Sequence, residues 1–558
     1  QIQSQDIMLV IQRINDAVGK SFIGRFFEME QRKATFFGEF RGATATFMSM
    51  AYILAVNPRI LADSGGPCDP ADSGFDECLT GVRREYVTAT ALGSIAGTVL
   101  MGLMANLPVA LAPGMGMNAY FTYSVVGFYG SGSLSYSTAL TAVLIEGFIF
   151  LFLAVTGARY FIIKLLPEPV RLATPAAIGA FLAHLGLQSA EGLGIVVSDL
   201  ATAVTLGGCP LDKQTVIVSY NELCATQGVC IPSGAYTCDD LGGVMTSGTT
   251  WLGILGTGII AILLAYKNRS AFIAGIAFVT IVSWFRDTAV SYFPDTDAGN
   301  ARFDYFKQVV RIEPLDKILI NYDFENMKDI AVALVTFLYV DFLDTSGTLL
   351  GLVSTLGYVD ENGDFPRSRW AYSADAMATM IGSMFGLSPV TSYIESGAGV
   401  EAGAKTGLTA IIVAFYFFLS IFFAPIIASI PPWATGGALV VVGALMARSL
   451  GQVKWHNPMH AVTAFITVMM MPLTYSIAYG LIAGIGTYMF MWTVFKLLSL
   501  VGIKEPNFDD DADAEPITPD ASTAKDDKVE KAVVASGDDE VVRGKSPDDD
   551  IALDEVNA

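Results

Sequence analysis

The chain is 558 residues long and 53% apolar, with 35 Phe and 20 Met and a mean hydropathy of +0.50. Together these values argue against a large soluble enzyme and indicate a protein that passes repeatedly through a membrane. The net charge of −21 is concentrated at one end: from Glu505 onward 18 acidic residues face 5 basic ones, with no aromatic after Phe508, so 504–558 reads as an acidic, disordered cytoplasmic tail.

Residues 1–42 mix apolar and charged residues at helical spacing, as in "QDIMLVIQRINDAVGKSFIGRFFEMEQRKATFFGEFRG". That is the pattern of an amphipathic cytoplasmic lead-in rather than a cleavable signal peptide. Apolar stretches long enough to cross a bilayer then recur. They predict spans near 43–62, 88–107, 109–128, 138–157, 172–190, 249–266, 271–286, 328–347, 371–386, 388–404, 406–424, 434–448, 458–473 and 475–498. That makes fourteen, two of them irregular, and an even number returns the chain to its starting side. Short loops on that side hold Arg159, Lys164, Arg171, Lys267, Arg269, Arg367, Arg369, Lys405, Arg448 and Lys454. The short loops opposite hold little beyond Arg83, Arg84 and Lys213, which predicts cytoplasmic termini.

The cysteines support the same sidedness. Cys68 and Cys78 follow the first span, and Cys209, Cys224, Cys230 and Cys238 follow the fifth. All six fall outside, as expected of disulfides formed in an oxidising compartment. Cys68 and Cys78 suit a local pair, and the other four leave three connectivities open. No histidine lies near either group, which disfavours a metal site.

The third and tenth spans are the irregular ones: "LAPGMGMNAYFTYSVVG" and "LSPVTSYIESGAGVEAG". Each opens on a Leu-small-Pro step and then presents a polar side chain, Asn118 five residues after Pro113 and Glu395 six after Pro389. They stand seven spans apart, an odd offset, so the two halves run in opposite senses across the membrane. Proline and glycine free backbone groups at membrane depth, which is tolerated only around a protein-lined cavity. The expectation is two short extended stretches that pair, each leading into a half-helix aimed at a common site.

Acids inside spans are costly and usually functional. "ALVTFLYVDFLDTSGTLLG" carries Asp341 and Asp344 on one helix face, and the tenth span adds Glu395 with Ser396 beside it. An amide, carboxyls and the aromatics Tyr120, Phe121, Tyr339 and Tyr393 suit a flat heteroaromatic solute, whose ring N–H and amino groups carboxylates accept. Asp341, Glu395, Ser396 and Asn118 are therefore candidate substrate contacts. Asp344, with Asp341, is a candidate for proton coupling or gating, because a coupling group at this depth must take up a proton. Glu146 lacks a local constellation and reads as structural, as does Glu401 near a span end. His184, His456 and His460 show no ligand spacing, and His184 reads as a satisfied interior histidine.

Five stretches carry a resemblance: "GEFRGATATFMSMAYILAVNPRIL", "MGLMANLPVALAPGMGMNAYF", "TFLYVDFLDTSGTL", "SPVTSYIESGAGVEAGAKTGLTAI" and "MPLTYSIAYGLIAG". Over roughly residues 30–500 the chain resembles the AzgA-like hypoxanthine–adenine–guanine transporters of the nucleobase transporter superfamily. The resemblance implies an all-α polytopic membrane protein with fourteen spans as a UraA-like 7+7 inverted repeat. Its core domain would comprise 43–157 and 328–424, and its gate domain 172–286, with a cysteine-containing extracellular loop 191–248, and 434–498. Residues 287–327 would form a further extracellular loop. It further implies a homodimer in the plasma membrane that imports purines with protons by an elevator-type motion, without other cofactor or nucleic acid. Asn118, Asp341 and Glu395 map onto the family's recognition residues, with Asp344 important for binding or transport; some plant relatives extend to adenine-derived cytokinins. An anion exchanger of the same architecture and a non-transporting purine receptor are the alternatives. An enzyme is not expected, since no nucleophile–base or metal constellation is visible.

Overall fold

A chain this apolar satisfies its backbone in lipid chiefly as helices, and helices dominate the computed structural model. It describes residues 12–72, 74–158, 167–188, 192–199, 203–209, 214–216, 236–238, 245–325, 327–360 and 364–501. The acidic tail, Cys224 and Cys230 lie outside these residues, and Cys238 is described by its backbone alone.

In chain order the first half comprises α1 (12–20), α2 (Phe22–Phe26), α3 (Phe36–Met50), α4 (Ile53–Ala62), α5 (Phe75–Leu100), strand β1 (Leu111–Pro113), α6 (Met115–Ala119) and α7 (Tyr136–Thr156). There follow α8 (Glu168–Leu187), strands β2 (Val196–Asp199), β3 (Ala203–Leu206), β4 (Gln214–Val216) and β5 (Tyr236–Cys238), then α9 (Gly248–Ala265), α10 (Ala271–Ser283) and α11 (Asp297–Phe306). The second half holds α12 (Ala331–Leu356), α13 (Ser368–Met384), β6 (Val390–Ser392), α14 (Ser396–Ala402) and α15 (Gly407–Ile421). It ends with α16 (Ala424–Ala428), α17 (Pro432–Met446), α18 (Pro458–Thr474) and α19 (Ile477–Leu500).

The stretches predicted to span fall on these helices, 43–62 on α3 and α4 together, or on a strand and its following helix. Among the described residues eight helical segments are long and apolar enough to cross a bilayer, and α10, α15 and α18 are shorter apolar helices. The all-α expectation needs one correction. The loop after α8 carries two antiparallel pairs, β2–β3 and β4–β5; a third pair, β1–β6, lies within the helical body at the two broken spans, where extended stretches were expected.

Several helices outrun their predicted limits, because hydropathy stops at charge whereas a helix does not. α5 begins at Phe75 and runs through Arg83, Arg84 and Glu85; the Glu85 carboxylate accepts the backbone N–H of Lys317 at 2.9 Å. α12 continues to a left-handed Gly357 cap, which leaves Asp341 and Asp344 in mid-helix. α3 begins at Phe36, inside the predicted lead-in, and buries Glu39 against the start of α15. There the carboxylate accepts the N–H groups of Lys405 (3.0 Å), Thr406 (3.3 Å) and Thr409 (3.3 Å), and the Thr409 hydroxyl at 2.6 Å. A carboxylate at a helix N-terminus stabilises by roughly 0.3–2 kcal/mol.

Cys68, in the α4–α5 connection, and Cys78, in the first turn of α5, form a disulfide, and Cys209 is also disulfide-bonded. Helices α8 and α17 pack backbone to backbone through glycines: a Cβ added at Gly179 comes within 2.7 Å of the Gly443 carbonyl oxygen. One added at Gly186 comes within 2.5 Å of the Gly436 carbonyl oxygen. Small residues at matched spacing are how membrane helices gain contact, since apolar burial alone gives no preference over lipid.

Candidate functional site at the paired strands

Pro113 and Pro389 prevent continuous helix, and the freed backbone groups find each other. β1 and β6 pair antiparallel, Leu111 opposite Ser392 and Pro113 opposite Val390. The pairing is closed at both ends, by the Gly114 N–H donating to the Pro389 carbonyl and the Tyr393 N–H to the Ala110 carbonyl, each at 3.0 Å. Each strand leads into a short helix, α6 from β1 and α14 from β6. The pairing expected from the two broken spans is present.

A cavity of about 70 Å³ lies where these half-helices meet α8 and α17. One wall is Gly114–Met117, Asp344 and Ser392–Glu395; the opposite wall includes Ile178 and Leu182 of α8 with Val442 and Met446 of α17. Tyr52 completes the lining, and its hydroxyl donates to Glu395 Oε1 at 2.8 Å. The Tyr52 ring stacks on Phe272 of α10, with centroids 5.3 Å apart and planes at 28°. Tyr393, also in the lining, donates its hydroxyl to the Pro113 carbonyl at 2.5 Å and so fixes one strand to the other. Two carboxyl groups, Asp344 and Glu395, thus share a cavity lined mainly by apolar and aromatic side chains, with Thr348 and Ser392 also in its wall.

The other predicted contacts stand behind this lining. Asn118 is fully buried; its amide nitrogen donates to Asn57 Oδ1 at 2.5 Å, and its oxygen accepts from the Ser388 hydroxyl. Asn57 in turn donates to the Pro113 carbonyl at 3.4 Å. Asn118 therefore ties α4, α6 and the approach to β6 together. Ser396 Oγ accepts the Ala110 N–H at 3.0 Å, closing the end of β1. Asp341 is buried one turn from Asp344, where Thr379 Oγ1 stands 3.4 Å from its Oδ2. Glu146 of α7 and Asp375 of α13 are buried beside it.

Three features of this site escaped the sequence. Tyr52 and Asn57 lie in the apolar run of the first span and acquire roles only when α4 meets β1 and β6. Asp375 accepts the Thr345 hydroxyl at 2.7 Å and the Ser392 hydroxyl at 2.9 Å. An acid within "AYSADAMATM" was the signal that would have found it. His184, by contrast, is satisfied as expected: it pairs with Gln188 at 3.1 Å and lies edge-on to Tyr475 at 5.3 Å.

Comparison with known proteins bears on this geometry. Residues 38–218 and 244–502 match the permease family. The chain is 43% identical over 530 residues to the efflux pump NotK' of Aspergillus versicolor, covering 90% of this chain and 88% of that protein. It is 34% identical to the guanine/hypoxanthine permease PbuG of Bacillus subtilis, covering 82% and 91%. It is 31% identical to the adenine permease AdeP of Escherichia coli, covering 86% and 92%. In fold it is similar to the transmembrane domain of the cyanobacterial bicarbonate transporter BicA, with a TM-score of 0.50 at 13% identity, covering 80% of this chain and 96% of that one. The chain belongs to the permease family, in its xanthine/uracil branch, and is a helical polytopic membrane transporter rather than an enzyme.

Proposed function

We propose that this transporter imports purine nucleobases (adenine, guanine or hypoxanthine, and by extension adenine-derived cytokinins) together with protons across the plasma membrane. The observation that carries this reading is the cavity at the paired strands, whose lining brings Asp344 and Glu395 together with Tyr52 and Tyr393. Carboxylates accept from purine N–H and amino groups, and aromatic rings stack on a flat base. The relatives titled adenine and guanine/hypoxanthine permeases support the same substrate class.

The cavity volume supports alternating access. An engineered cavity of about 150 Å³ takes one benzene ring, so a two-ring purine fits about 70 Å³ only after the walls separate. In this reading 43–157 and 328–424 form a core that carries the acids, and 172–286 and 434–498 form a gate that supplies α8 and α17. Fourteen crossings as a 7+7 inverted repeat, cytoplasmic termini, a homodimer and an elevator-type motion complete the proposal. Asn118, Asp341 and Ser396 then act by holding the site rather than by touching the base in this closed geometry.

One alternative has a specific observation behind it: the relative at 43% identity is titled an efflux pump, which favours export of a small aromatic compound through the same cavity. An anion exchanger, suggested by likeness to a bicarbonate transporter, fits poorly with two carboxyl groups in the lining. Equilibrium binding of labelled adenine to the purified protein tests the site. Guanine and hypoxanthine are expected to compete and bicarbonate is not, and Glu395→Gln is expected to weaken binding by about 10- to 100-fold. Unchanged affinity in Glu395→Gln removes that residue from the site.

A further inference from the structure

A second group of acids lies behind the strands, outside the cavity lining. Glu146 of α7 is fully buried, and neither of its carboxyl oxygens meets a hydrogen-bond donor. It faces Asp341 of α12 within hydrogen-bonding reach, and Asp341 Oδ1 also meets no donor. The remaining titratable neighbours are Asp375 of α13 and Asp344 of α12, both acids. Helices α7, α12 and α13 carry one basic residue between them, Arg369, which lies exposed at the start of α13. Two carboxylates buried in contact with no cation are not sustained as two anions; a shared proton between them removes the conflict. Two acceptor-only groups in contact are joined by a donor hydrogen between them, which a proton supplies.

From this arrangement we infer that Glu146 and Asp341 form a carboxyl pair that binds the coupling proton, at a site separate from the cavity and behind β6. The inference rests on the proton-coupled reading above and deepens it. Connections from the pair to the cavity are short. The Thr379 hydroxyl reaches both Asp341 and the Val390 carbonyl, at 3.4 and 3.0 Å, and accepts the Val390 N–H at 3.1 Å. Thr345 bonds both Asp375 at 2.7 Å and Thr391 at 2.8 Å. β6 is thus held on its acid side by hydroxyls that respond to the charge of the cluster, and it delivers Tyr393 and Glu395 to the cavity. Asp344, one turn from Asp341, faces the cavity and supplies a route for the proton.

The test is accumulation of labelled adenine in proteoliposomes under an imposed one-unit pH gradient, with the carboxylic-acid carbonyl band of the purified protein read by infrared spectroscopy. Wild-type protein is expected to accumulate adenine about tenfold for each proton carried. Glu146→Gln is expected to accumulate it about onefold while counterflow exchange stays measurable, and Glu146→Gln and Asp341→Asn are each expected to lose the infrared band. Should Glu146→Gln not fold, Glu146→Asp keeps the carboxyl group and is expected to stay coupled with a displaced pH profile. Wild-type accumulation in Glu146→Gln, an unaltered profile in Glu146→Asp, or a band indifferent to both positions overturns the pair. If wild type carries no purine yet shows a band that depends on Glu146, the transport reading fails and the proton pair stands.

Discussion

The Tyr52 hydroxyl reaches Glu395 at 2.8 Å while the Tyr52 ring lies against Phe272 of α10. One side chain therefore holds a cavity carboxyl in place and links it to a helix assigned to the gate. Tyr52→Phe keeps the ring contact and removes the donor, a loss of about 0.5–1.5 kcal/mol for an ordinary hydrogen bond and more where the acceptor is charged. Adenine affinity in that variant is expected to fall roughly three- to tenfold; affinity equal to wild type contradicts a positioning role. At this scale the sequence was legible in part. Asp344 and Glu395 stand out as acids in apolar spans, and both line the cavity. Asn118 was marked by the same logic, and its amide bonds Asn57 and Ser388 behind the lining. An amide has no preferred direction in sequence; which neighbours compete for it depends on segments some 60 and 270 residues away.

At the scale of elements, the broken spans were the most readable part of the chain. Pro113 and Pro389 each remove a backbone donor, and the deficit at membrane depth demanded a partner, which each strand supplies to the other. The helix ends were less readable, because Glu39 and Glu85 enter helices by bonding backbone N–H groups of distant segments. The α8–α17 contact was not legible at all, although its glycines are plain in "AAIGAFLAHLGL" and "ATGGALVVVGAL". Glycine in a span signals close approach without naming the partner. Gly179→Leu puts a side chain against the Gly443 carbonyl and the Met446 side chain, and overpacking of this kind destabilises by about 1–3 kcal/mol. A lower thermal transition of the purified protein is expected. A transition at the wild-type temperature indicates that α8 and α17 are less tightly apposed than described.

For the whole molecule, the order of helices and breaks places two acids, two tyrosines and a pair of strands at one point between two groups of helices. The cavity there is too small for a purine, so the account requires the walls formed by α8 and α17 to part from the strands and half-helices during transport. Pairing of the two broken spans was foreseeable from their matched motifs. The cluster of Glu146, Asp341 and Asp375 was not, because three helices contribute one acid each and no local pattern joins them. Uptake of labelled adenine into proteoliposomes under an inward proton gradient tests the central claim most directly. The account predicts accumulation above the external concentration that collapses when the gradient is dissipated. Entry no faster than into protein-free vesicles, or gradient-driven loss of adenine from preloaded vesicles, would contradict it.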